Sequence, residues 1–216
     1  AFHTRDDVEQ ILVVVSPEDL DWFREKFQPN LAFMDVEVVV GGAERADTVQ
    51  NALQRVRTDI DLIAVHDAAR PLIVKSWIDE IVAAAIEVGA AIPAIPISST
   101  VKHAESVKRS CSRLQITKTV PREGLYAAQT PQIFRREILL DAYARRNGRN
   151  ATDEAQMVEQ TGHPVAIVPG SPMNLKITTR DDLRMAEALM SLLPKEKSLD
   201  HLQPAEDDLD WLKPKR

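Results

Sequence analysis

The chain has 216 residues, 44% hydrophobic and 28% charged, the balance of an ordinary soluble globular protein of one large domain or one domain with an appendage. Its net charge of −6 excludes a general nucleic-acid binder but not a small anionic ligand, which responds to local clusters of charge. A single cysteine, Cys111, excludes an internal disulfide and a cysteine-based metal site, so a reducing cytoplasm is the expected compartment. No apolar run approaches the roughly 20 residues that span a bilayer.

The chain starts at Ala1 in what reads as the end of a helix leading into a strand. Ile11 to Val15 is a first strand-length run, and Ser16-Pro17-Glu18-Asp19 then supplies a helix cap, a first-turn proline and first-turn acids. Val36 to Val40 is a second run, closed by Gly41-Gly42, and behind it Val49, Ala52, Leu53 and Val56 fall on one helical face. Leu62 to Val65 is a third strand. The helix after it carries Ile78, Ile81, Val82, Ala85 and Ile86 as a stripe and stops at Gly89. Ala91 to Ile97 is extended, with Pro93 and Pro96 limiting how much of it sits inside a sheet. Between Thr100 and Thr119 polar residues alternate with single apolar ones, which predicts an antiparallel hairpin arm. Helices return at Arg136 to Arg146, at Asp153 to Thr161 behind Thr152, and at Asp181 to Leu193 behind Thr179, with a strand at Val165 to Val168. From Pro194 to Arg216 the sequence is charged and proline-interrupted, which predicts a disordered tail. Strands and helices that alternate in this way predict an α/β fold with a mostly parallel sheet covered on both faces.

In open α/β sheets, ligands bind at the carboxyl ends of the strands. Three segments fall there. Gly41-Gly42 before a helix is either a plain strand-to-helix turn or a place where backbone approaches a ligand. His66-Asp67-Ala68-Ala69-Arg70-Pro71 could hold Mg²⁺ at Asp67 and a phosphate at Arg70, or be a surface ion pair; His66 reads as a packed, hydrogen-bonded histidine. Asn174-Leu175-Lys176-Ile177-Thr178-Thr179 puts a lysine near a capped helix, a solvated side chain or part of an anion pocket, and Arg136 raises the same question. Scattered histidines and the absence of Gly-rich nucleotide motifs argue against zinc and against a Walker or dinucleotide site.

At these strings the sequence resembles the 2-C-methyl-D-erythritol 4-phosphate cytidylyltransferase family. The resemblance rests on Gly41-Gly42-x-x-Arg45-x-Asp47-Thr48-Val49, Val65-His66-Asp67-Ala68-Ala69-Arg70-Pro71 and Thr119-Val120-x-Arg122-x-Gly124-Leu125. It continues through Gln129-Thr130-Pro131-Gln132-x-Phe134, Thr152-Asp153-Glu154-Ala155 and Asn174-Leu175-Lys176-Ile177-Thr178. It implies a nucleotidyltransferase domain over 1–193 with a Rossmann-like fold, and transfer of CMP from CTP to methylerythritol phosphate in non-mevalonate isoprenoid synthesis. It also implies a homodimer clasped by the arm at about 100–119, with each active site drawing on both protomers. By the same carry-over, Gly42 and Thr48 line the cytidine pocket, and Asp67 and Ala68 lie at the nucleotide, Asp67 also at Mg²⁺. Arg70, Thr119 and Thr178 surround the polyol phosphate, and Arg136 and Lys176 aim its phosphate at the α-phosphorus.

The family opens with a strand and a Gly-rich loop bearing an Arg and a Lys. Nothing like that loop precedes Ala1, so the expectation is that the chain as written does not turn over CTP by itself. Ser99-Thr100 and Pro121 also depart from the family's usual residues. Ribitol-5-phosphate cytidylyltransferases share the Asp-Ala-Ala-Arg-Pro string and are the alternative, as is a non-catalytic dimerising remnant; Thr152-Asp153-Glu154-Ala155 fits the methylerythritol enzymes better.

Overall fold

The structure is a computed structural model that describes residues 1–106, 113–148 and 150–194; the arm tip with Cys111 and the expected tail beyond Pro194 lie outside the described residues. Strand β1 (Ile11–Val15) pairs in parallel with β2 (Val36–Val40) across helix α1 (Leu20–Phe33), whose N-cap is Asp19. Then come α2 (Arg45–Leu53), β3 (Leu62–Val65), α3 (Lys75–Val88) and β4 (Ala90–Pro96). The expected hairpin is present as β5 (Val101–Ser106) against β6 (Leu114–Val120), antiparallel with a bulge at His103/Ala104. Two short strands, β7 (Tyr126–Ala128) and β8 (Gln132–Arg135), precede α4 (Arg136–Ala144), α5 (Glu154–Glu159), β9 (Ala166–Pro169) and α6 (Arg180–Met190). Helix α5 is capped by Asp153, one residue beyond the expected Thr152, and α6 by Thr179 in a capping box with Asp182.

The main sheet runs β3-β8-β4-β7, with β9 also on β4. The expectation of a mostly parallel sheet is corrected here: β8 is antiparallel to both β3 and β4, β7 is antiparallel to β4, and only β4–β9 and β1–β2 are parallel. The hairpin is the reason. The chain leaves the carboxyl end of β4, returns from β6 to that same end, and must run back through the sheet. Pro93 and Pro96 do not push β4 outward either, since β4 is the strand that pairs with β7, β8 and β9. Pro93 lacks an N–H but keeps its carbonyl, which accepts from Gln129 N at 2.8 Å.

Alternation along β4 and β8 sends side chains to two cores. Ala90, Ile92 and Phe134 join Leu53, Leu139, Tyr143 and Val158 on one face. Ala91 and Ile133 join Ile78, Ile81 and Ala85 of α3 on the other. Helices therefore cover both faces, as expected for α/β. Ile86 does not belong to the α3 stripe. Eight residues beyond Ile78 the 3.6-residue period has carried it off the face, and it is 57% exposed. Because β3, β4 and β9 share one direction, their carboxyl ends share one rim, and β8 starts there.

Candidate active site

The rim is built from backbone outward. After β3 the chain makes a turn in which Arg70 N donates to Asp67 O at 2.9 Å, leaving Ala68 exposed at its tip. His66 braces this turn. Its Nε2 faces the Arg70 carbonyl at 3.0 Å, so Nε2 carries the proton, and Nδ1 accepts from the Thr130 hydroxyl at 3.1 Å. Thr130 Oγ1 in turn accepts from Asp67 N at 3.0 Å. Burial holds the His66 pKa below its ordinary value, and the ring is a neutral strut, as the sequence suggested.

The segment after β9 docks on this turn. Ile177 N donates to Ala69 O at 2.8 Å, and Arg70 Nη1 donates to the Asn174 carbonyl at 2.7 Å. Asn174 is buried and its Nδ2 donates to Thr130 O at 2.8 Å; Gln129 Nε2 donates to Ser171 O at 2.8 Å. Gln129, Thr130 and Asn174 thus bind three loops into one edge. Their role was hidden in the sequence, because a buried amide becomes visible only once its partners are in place.

That edge surrounds one carboxylate with three cations. Lys176 Nζ lies 3.0 Å from Asp67 Oδ2, Arg70 Nε 3.4 Å from the same oxygen, and Arg45 Nη2 3.7 Å from Oδ1. Burial pushes the Asp67 pKa up, but the hydrogen bond and charge of Lys176, with Arg45 and Arg70, more than offset it and leave the carboxyl below its usual range. Lys176 is 45% exposed and Asp67 16%, so the ring opens to solvent on the Lys176 side.

The other expected residues divide. Gly42 N donates to Thr48 Oγ1 at 3.1 Å, and a Cβ on Gly42 would stand 2.3 Å from Asp47 Cβ, so this pair closes the β2–α2 turn beside Arg45. Thr178 lies next to the ring, but its hydroxyl donates to Asp182 Oδ2 at 2.8 Å. Thr119 sits at the base of the arm and accepts from Lys102 Nζ at 2.7 Å. Arg136 is not brought to the ring: Arg136 N donates to Asp61 O at 2.8 Å and Arg135 pairs with Leu62, at the amino end of β3. From Leu62 to Val65 is three residues, roughly 10 Å of strand, so within one protomer Arg136 stands on the opposite edge of the sheet. Another cation stands at the rim within the same protomer. Arg122, at the foot of the arm, donates to Ser98 O just past β4.

Asp67 as a metal ligand meets a mixed test. No group of three or more His, Cys, Asp or Glu capable of holding a metal occurs among the described residues. One carboxylate fits only an ion that takes its remaining oxygens from a bound polyphosphate, which is how Mg²⁺ commonly binds.

Fold and rim together define a class: an α/β enzyme with a cationic edge suited to anionic ligands. The sequence profile of 2-C-methyl-D-erythritol 4-phosphate cytidylyltransferase matches residues 1–192, and the chain belongs to that family. A relative of that name from Rhodopirellula baltica is 43% identical over 201 residues, covering 88% of this chain and 79% of the relative. One from Solibacter usitatus is 40% identical, covering 85% and 75%. The crystal structure of the Thermus thermophilus enzyme superposes with a TM-score of 0.73 at 33% identity, covering 88% of this chain and 85% of that one.

Proposed function

We propose that this protein transfers CMP from CTP to 2-C-methyl-D-erythritol 4-phosphate and releases pyrophosphate, a step of isoprenoid biosynthesis. A phosphate oxygen of the polyol attacks the α-phosphorus of CTP, and the bond from that phosphorus to the β-bridging oxygen breaks. The obstacle is charge. Two unit charges about 4 Å apart repel by roughly 4 kcal/mol at an effective dielectric of 20. Positioning and fixed positive charge are therefore the main work, and no protein nucleophile is needed.

The observation that carries this reading is the ring of Lys176, Arg70 and Arg45 about Asp67 in a chain of this family. Lys176, the most open of the three to solvent alongside Arg45, offers its ammonium to the incoming phosphate. Arg70 is pinned by Asn174 and keeps the turn rigid. Asp67 orients Lys176 and would lend one oxygen to a Mg²⁺ ion carried by the triphosphate. That ion would offset phosphate charge. Gly42, Thr48 and Ala68 border the nucleotide side, and Thr178 the polyol side.

The protein acts as a homodimer through the arm, where Leu114 and Ile116 are 71% and 60% exposed. Thr119 and Arg122 at the arm's foot bring that interface next to the rim. Cytoplasmic location is supported by the single cysteine, and no helix among the described residues is long and apolar enough to cross a membrane. The test is pyrophosphate release by the full gene product with CTP and either methylerythritol phosphate or ribitol 5-phosphate. Turnover with the first and not the second is expected; exclusive use of ribitol phosphate overturns the assignment.

A further inference from the structure

Within Thr152-Asp153-Glu154-Ala155, Glu154 is the most constrained residue. The residue is 0% exposed at the start of α5. Its carboxylate accepts two hydrogen bonds from Arg45, at 2.6 and 2.8 Å, and a third from the Tyr143 hydroxyl at 3.2 Å. Both carboxylate oxygens are thereby spent on a fork that fixes the plane of the guanidinium. Arg45 itself is the first residue of α2, directly after the Gly41-Gly42 turn, and keeps 37% of its side chain exposed.

The position of that guanidinium is what makes the pair more than a staple. Arg45 Nη2 reaches Asp67 Oδ1 at 3.7 Å, so Arg45 bridges a buried carboxylate and the rim carboxylate. It links the β2–α2 turn to the β3 turn, the two segments assigned to the nucleotide. A second pair steadies the same helix end: Arg146 donates to Asp47 Oδ1 at 2.6 Å and to Gln50 Oε1 at 3.1 Å. Burial of Tyr143 and the charge of Glu154 raise the phenol's pKa, which keeps it a donor to that carboxylate. A free arginine on a loop would swing between Asp67 and solvent; this one cannot.

We propose that Glu154 is a positioning residue, whose buried carboxylate holds Arg45 at the rim beside Asp67 so that the guanidinium meets the phosphates of the bound nucleotide. This rests on the reading of the rim as a nucleotide site, but the reaction itself is not required for the test. The probe is CTP with Mg²⁺, titrated calorimetrically into the full gene product without acceptor. R45K keeps the charge and loses the fork, and E154Q keeps the shape and loses the charge. Each is expected to weaken CTP binding about tenfold, the scale of one bidentate charged contact, and the double variant to be no weaker than either single, because the two act as a unit. Folded variants that bind CTP within about twofold of wild type would reduce the pair to structure and overturn the proposal. If E154Q fails to fold, R45M/E154M replaces the buried pair with apolar side chains, which folds tend to tolerate. Loss of CTP affinity in that folded variant supports the proposal, and wild-type affinity overturns it. A wild-type protein that binds CTP without transferring CMP removes the proposed reaction but leaves this test standing; one that does not bind CTP removes both.

Discussion

Lys176→Ala separates catalysis from stability most cleanly. In the resting protein Lys176 Nζ meets Asp67 at 3.0 Å, yet the lysine is 45% exposed, and such pairs contribute only about 0–1 kcal/mol. Asp67 also retains Arg70 at 3.4 Å and Arg45 at 3.7 Å, so it stays paired. The melting temperature should drop by no more than about 4 °C, since 1 kcal/mol corresponds to roughly 2–4 °C in a domain of this size. The transfer step is different. Losing one fixed donor to developing charge costs about 2.7–4 kcal/mol, or roughly 10²–10³ in kcat. Initial rates of pyrophosphate release and a thermal melt on the same preparation measure both quantities. A rate within about threefold of wild type would refute the role of Lys176, because a loss that small lies below the effect of one preorganised donor. A rate loss that merely tracks unfolding would refute it as well.

Arg136→Ala, on the other edge of the sheet within one protomer, should slow the same assay as Lys176→Ala does if each site draws on both protomers of the proposed dimer; a loss within about threefold would exclude Arg136 from the site. Gly42→Ala forces a Cβ to 2.3 Å from Asp47 Cβ and should destabilise by about 1–3 kcal/mol, read as a lower urea midpoint. His66 has a folded pKa below its unfolded value, so the unfolded chain binds more protons as pH falls. Its contribution is present above about pH 6.5 and lost below it. Urea midpoints from pH 8 to 5 should therefore decline in wild type and decline less in His66→Gln. Ile116→Lys, on the exposed face of the arm, should abolish the proposed dimer, read by light scattering as a monomer where the wild type gives twice that mass.

The strands and helices that the sequence revealed are those with a clean period: Ile11–Val15, Val36–Val40 and Leu62–Val65 are continuous apolar runs with their turn signals beside them. The hairpin was legible from alternation alone. What escaped were β7, three residues long, and β8, a short strand directly after Pro131 whose flanking Arg135 and Arg136 read as a helix start. Missing these two strands turned a mixed sheet into a parallel one. In the site, Asp67, Arg70 and Lys176 were legible as candidates because they sit at the carboxyl ends of predicted strands, and the resemblance gave them roles. The pairing of Arg45 with Glu154 was not legible, since 109 residues separate them and only the packing of α5 against the rim joins them. Asn174 and Thr130 had no signature of their own, because their work is done through backbone partners.

The account stands or falls on which phosphorus of CTP is attacked. With CTP labelled at the α-phosphate and methylerythritol phosphate as acceptor, the label should leave with the polyol product while unlabelled pyrophosphate is released. Label in the released pyrophosphate, or transfer of the terminal phosphate instead, would contradict it.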